Sequence, residues 1–138
     1  MKVYKVVRRE RGRLISVFAP EAMRVVYRPG EWAHAPAFLA QEGYFLTAFR
    51  SIADAASFCD EMFDQAWPGE VEIWEAEAEG VIRSLPPNCE SISLRTGTLV
   101  MLRAAAPWPR GTVMAVRIRL DRLVLGRGGR EWRNGSTL

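Results

Sequence analysis

Residues 70–81 read EVEIWEAEAEGV, and the secondary structure of this stretch decides the fold. Glutamate and alanine suit a helix. The apolar residues, however, fall two apart: Val71 and Ile73 on one parity, Trp74, Ala76 and Ala78 on the other. That spacing is the period of a strand. A bulge near Ile73 and Trp74 would account for the change of face. As a strand, the segment sets Glu75, Glu77 and Glu79 in a row along one face.

The segment before it carries the opposite signature. Ser51 and Asp54 have the S-x-x-D spacing of a helix N-terminus. Ile52, Ala55, Ala56, Cys59, Met62, Phe63 and Ala66 then form the stripe of an amphipathic helix over residues 51–66. Trp67-Pro68-Gly69 stops it, because proline cannot continue the hydrogen-bond ladder.

Working outward, residues 3–8, 14–18, 24–28 and 44–50 are rich in β-branched and aromatic side chains and read as strands. Gly12 suits a hairpin turn between the first two. Residues 31–43 read as a loop with one helical turn at 38–41. Residues 91–94 and 98–103 predict two further strands. The clearest strand follows: Met114, Val116, Ile118 and Leu120 alternate with Ala115, Arg117, Arg119 and Asp121. The expected fold class is α+β: one domain over residues 1–125, with six to eight mostly antiparallel strands and one main helix. Residues 126–138 (GRGGREWRNGSTL) lack periodicity and predict a flexible Gly/Arg-rich tail.

The chain has 138 residues, 49% of them hydrophobic and 25% charged, as expected of a single soluble domain. No apolar run approaches the ~18–20 residues of a membrane span, and no apolar stretch follows the charged N-terminus as in a secretory signal. A cytoplasmic setting is expected. Two cysteines and one histidine exclude a disulfide scaffold and the usual zinc patterns. Few Asn, Gln and Cys fit a thermophile; 17 arginines against 2 lysines fit a GC-rich genome equally well.

The net charge of +3 conceals a partition. Residues 1–13 hold six basic groups and one acid, residues 54–90 ten acids and Arg83, and residues 95–138 nine arginines and two acids. Such asymmetry either steers a partner or pairs within the fold.

Motifs for catalysis are sparse. His34 lies between Ala33 and Ala35 with no adjacent Ser, Cys or Asp. Cys59 sits on the apolar helix face, as a small buried hydrophobe would. The carboxylates Glu70, Glu72, Glu75, Glu77 and Glu79 lack a calcium-loop pattern and read as a solvated or cation-facing edge. No glycine-rich phosphate cradle is present. Neither a metal nor a cofactor is expected, and the reading is of a non-enzyme. Trp and Arg are the residue types of interface anchors. Trp32, Trp108, Arg117, Arg119 and Arg122 are therefore the candidate partner-binding residues. Arg127, Arg130 and Arg133 in the tail are candidates for contact with nucleic acid.

The order YKVVRR, LISVFA, VVYRPGEW and EGYFLTAFRSIADAASF, closed by Gly111-Thr112-Val113-Met114-Ala115 running to Arg119-Leu120, resembles a loose group of small phage and bacterial α+β proteins over about residues 3–124. In size, basicity and arginine content the chain is also similar to phage-encoded proteins that bind the RNA polymerase of Thermus. That resemblance implies docking on the polymerase β-flap, displacement of part of the σ factor and inhibition of transcription in the host cytoplasm. It carries over no residue positions.

The leading expectation is a protein–protein interaction module, phage-encoded or regulatory, whose partner is a host protein such as RNA polymerase. One alternative is a nucleic-acid binder using its basic termini. Another is a small ADP-ribosyltransferase-like protein, for which Arg8, Ser16 and Glu77 are present only singly.

Overall fold

The computed structural model describes residues 1–17, 24–62, 70–95, 98–103 and 107–126, with residues 89–103 described by their backbone pairing. Among the described residues nine strands and two helices follow in order. They are β1 (Lys2–Glu10), β2 (Arg13–Ser16), β3 (Val26–Tyr27), β4 (Trp32–His34), α1 (Ala37–Ala40), β5 (Leu46–Phe49), α2 (Ile52–Met62), β6 (Val71–Val81), β7 (Cys89–Arg95), β8 (Thr98–Arg103) and β9 (Thr112–Leu125). Residues 71–81 thus form a strand, and the α+β expectation holds. Seven strands form one antiparallel sheet, while β7 and β8 pair as a separate ribbon.

The large sheet closes on itself. β6 pairs with β1 on one side and β9 on the other, and β5 bridges β1 and β9 again through Tyr4↔Phe49 and Leu46↔Ala115. β2 and β3 extend the β1 side, and β4 extends the β9 side. A turn over residues 28–31 joins β3 to β4, held by Glu31 N–H donating to Arg28 O and Gly30 N–H to Leu120 O.

Closure gives each strand an inner and an outer face. Inside lie Val3, Val7, Leu14, Tyr27, Leu46, Trp74, Ile118 and Leu120. Ala33, Ala48, Ala76, Ala78 and Ala115 also face inward, and their small size suits a narrow interior. Each fully buried valine, leucine or isoleucine contributes about 1.5–3 kcal/mol. A second core lies outside the ring, where α2 lays Ala55, Ala56 and Cys59 against Val6, Phe49, Val71 and Ile73. Phe58 adds a tilted ring contact to Phe49, 5.1 Å between centroids.

The helix starts where its sequence says. Ser51 Oγ accepts from Asp54 N–H at 3.1 Å, a cap that stabilises a helix by ~1 kcal/mol. Its described part ends at Met62, and residues 63–66 of the expected helix lie outside the described residues. The tail beyond Gly126 lies outside them as well.

Several expectations change. Residues 32–34 form strand β4 rather than a loop, because β9 offers them a ladder: Trp32↔Arg119, Ala33↔Ile118 and His34↔Arg117. β6 does not change face at Ile73–Trp74. Val71 and Ile73 are buried outside, under α2, while Glu72, Trp74, Ala76 and Ala78 share the other parity, with Trp74, Ala76 and Ala78 in the inner core. The register shift does fall between Ile73 and Trp74, but against β9, where Leu125 is followed by Leu123. The extra residue is Val124.

The expected alternation along β9 holds at Ile118 and Leu120 and reverses earlier. Ala115 is buried and Val116 is 39% exposed. The reversal lies beside Gly80, whose φ of +70° is a left-handed conformation disfavoured for other residues. A Cβ there would meet Val116 at 2.8 Å.

Candidate functional site

The outer face of β6 and β9 settles where the acidic and basic segments meet. Glu75, Glu77 and Glu79 point outward on β6, across from Arg122, Arg119 and Arg117 on β9. Arg117 Nη2 binds Glu79 Oε1. Arg122 Nη2 donates to Glu75 Oε1 at 3.2 Å, with Lys2 Nζ at 3.5 Å from the same oxygen. The Met1 amine donates to Glu77 Oε1 at 2.7 Å. Arg119 turns along its own strand and holds both oxygens of Asp121, at 2.7 and 3.4 Å. The hydrogen bond from Arg122, with the charges of Arg122 and Lys2, holds the Glu75 carboxyl below its ordinary range. Each exposed pair contributes little stability, ~0–1 kcal/mol; together they fix where the guanidinium groups stand.

Beside this ladder Trp32 receives two arginines. The Arg117 and Arg119 guanidinium carbons lie 4.3 and 4.9 Å from its ring centroid. The placement follows from register, since Arg119 is the direct neighbour of Trp32 across the β4–β9 ladder. Exposed cation–π contacts of this kind are worth ~0.5–1 kcal/mol. Trp32 stays half-buried and His34 exposed, so aromatic surface and held cations meet on one accessible strip.

Three of the five candidate partner-binding residues therefore converge: Trp32, Arg117 and Arg119. Arg122 lies further along the ladder, on Glu75. Trp108 belongs elsewhere. Its Nε1 donates to Pro86 O at 2.7 Å, and Tyr44 Oη donates to Pro87 O at 2.7 Å, so both tie down the loop that leaves β6. Arg127, Arg130 and Arg133 lie outside the described residues.

No catalytic pairing emerges from the candidates considered. His34 stands exposed on the outer strip, and Cys59 is buried on the sheet-facing side of α2. Burial, with the neighbouring Asp60 charge, pushes the Cys59 thiol up to about 12. Arg8 pairs with Val71 and Lys2 with Glu77, so Arg8 and Glu77 stand six ladder positions apart, roughly 20 Å. Among the described residues no group of three or more His, Cys, Asp or Glu is placed to hold a metal, and no helix is long and apolar enough to cross a membrane.

The sequence reading missed the polar groups of the interior. Glu72, expected on the acidic edge, has the opposite parity to Glu75, Glu77 and Glu79 and is fully buried. It accepts from Arg9 Nε at 2.7 Å, Arg9 Nη2 at 3.1 Å and Trp74 Nε1 at 2.9 Å. Lys5 is 6% exposed and donates to Thr47 O at 2.6 Å, with its ammonium 5.3 Å from the Tyr27 ring centroid. Burial pushes the Lys5 amine down to about 8 and the Tyr27 phenol up. A signal was present in both cases: Lys5 falls between Val3 and Val7, and Glu72 precedes Trp74, Ala76 and Ala78 on one parity.

No protein-family model, curated protein or solved structure matches this chain.

Proposed function

We propose that the chain is a non-enzymatic protein–protein interaction module that docks through the outer strip of β4 and β9. The observation that carries this reading is the stack of Arg117 and Arg119 on half-exposed Trp32. Trp and Arg are the residue types that concentrate binding energy at interfaces. Here their positions are set before a partner arrives, by the ladder register and by Glu79 and Asp121. Ordering them on binding therefore costs little side-chain entropy.

The partner that suits this strip presents an apolar side chain to Trp32 and carboxylates that compete for the two arginines. An acidic helix or strand has that chemistry. The resemblance in size, basicity and arginine content to phage-encoded polymerase-binding proteins makes bacterial RNA polymerase, in the cytoplasm, the first host partner to test, with modulation of transcription as the consequence.

Binding of RNA polymerase core and holoenzyme to the immobilised chain tests the reading. Trp32→Ala is expected to weaken binding at least 10-fold, and Arg117→Ala with Arg119→Ala by a similar factor, while Arg83→Ala leaves it unchanged. Polymerase bound equally well by all variants removes the strip from the account. Absence of binding at micromolar polymerase removes that partner.

A further inference from the structure

A second feature lies on a different part of the sheet. β1 and β2 are joined by two residues, Arg11 (φ 52°) and Gly12 (φ 78°), the paired left-handed conformation of a tight hairpin. That turn fixes the register Arg9↔Leu14, and β2 continues it with Leu14↔Tyr27. One step further along the same register Arg13 comes opposite Arg28. A cleft of about 220 Å³ opens there, lined by Arg9, Gly12, Arg13, Leu14, Tyr27 and Arg28 with Val26 and Pro29.

The charge in this cleft is unbalanced. Its lining contains three arginines and no carboxylate. Arg9 is neutralised by Glu72. Glu10 stands across the β1–β2 ladder from Arg13 but is held by Arg24 at 3.0 Å, so Arg13 and Arg28 have no ion-pair partner within 4 Å among the described residues. Like charges directly opposite on neighbouring strands are destabilising. Elsewhere on this sheet Arg117, Arg119 and Arg122 each meet a carboxylate.

The donors in the cleft are also partly pre-arranged. Glu72 engages the Nε and Nη2 of Arg9, which orients its guanidinium. Tyr27, 2% exposed, closes the inner side of the cleft.

We infer that the cleft binds a small phosphate-bearing anion. Two uncompensated guanidinium groups match the charge of a phosphate dianion, and arginine is the side chain whose geometry fits phosphate oxygens. The volume lies below the ~300–1,000 Å³ of pockets for drug-sized ligands, so the site takes a phosphate group rather than a whole dinucleotide. The inference is independent of the docking strip, whose residues lie on β4 and β9.

The test is a titration of the full chain with inorganic phosphate and with adenosine 5′-monophosphate, followed by amide chemical shifts. Sodium chloride at matched ionic strength is the reference. Saturable shifts confined to residues 9–14 and 26–29 are expected at millimolar phosphate. The double variant Arg13→Ala, Arg28→Ala should weaken them at least 10-fold. Both arginines are exposed, so this variant is expected to fold, and an unchanged far-ultraviolet circular dichroism spectrum checks that it does. Tighter binding of the nucleotide would identify a phosphomonoester as the ligand, and equal binding free phosphate. Shifts that chloride reproduces, or that persist in the folded double variant, would overturn the inference.

Discussion

Glu72→Ala is expected to destabilise the protein by about 3–5 kcal/mol, most of the stability of a marginal domain. The carboxylate is fully buried, and three hydrogen bonds converge on it from Arg9 and Trp74. Removing it leaves the Trp74 indole N–H unpaired in the interior and the half-exposed Arg9 guanidinium without its carboxylate. The penalty is that of an unpaired buried donor and a broken ion pair rather than of one lost contact. Arg9→Ala should cost a comparable amount, since it leaves the acid buried without its cation. The double variant should cost clearly less than the sum, because each change removes the group the other left unpaired. Urea denaturation of the four proteins measures this cycle. Additive losses, or a Glu72→Ala loss under about 1 kcal/mol, would show that the pair is solvated and not part of the interior.

Lys5→Met is expected to have the opposite sign. The folded protein holds the Lys5 amine down at about 8 against an ordinary 10.5, through burial. Below pH 8 the amine is charged in both states, and folding must desolvate it. Between pH 8 and 10.5 the unfolded chain binds more protons than the folded one, so the stability of the lysine protein rises with pH. Methionine fills a similar volume without a charge. The variant should therefore be more stable at pH 7, on the order of 1–3 kcal/mol, and the advantage should shrink as pH rises to 10.5. Cys59 and Tyr27 have raised values in the folded state and lower stability at high pH, but both are common to the two proteins. Denaturation midpoints at pH 7, 9 and 10.5 decide the matter. A variant less stable at every pH would mean that the hydrogen bond to Thr47 O outweighs the buried charge.

What the sequence disclosed was mostly local. The helix could be read because its Ser51 cap and the Ala55, Ala56 and Cys59 stripe lie within ten residues. β6 could be read because a period of two survives an unusual composition. β4 could not: Trp32–His34 is too short to show a period, and β9, its partner in the ladder, lies more than eighty residues away. The reversal of faces along β9 was hidden for a related reason, since it depends on Gly80 across the ladder.

The candidate strip was half legible. Trp32, Arg117 and Arg119 were singled out by residue type alone, and closure of the sheet brings them together. Trp108 was singled out by the same rule and instead holds a loop, because residue type does not reveal which carbonyl an indole will find. The arginine cleft was not legible, for it is built from residues 9–14 and 26–29, joined only by strand register.

The measurement that bears most directly on the central claim is amide hydrogen exchange of the chain with and without RNA polymerase. Protection is predicted at Trp32–His34 and along β9 near Arg117 and Arg119, with the hairpin around Gly12 unchanged. Protection confined to other elements, with this strip exchanging as in the free protein, would contradict the account.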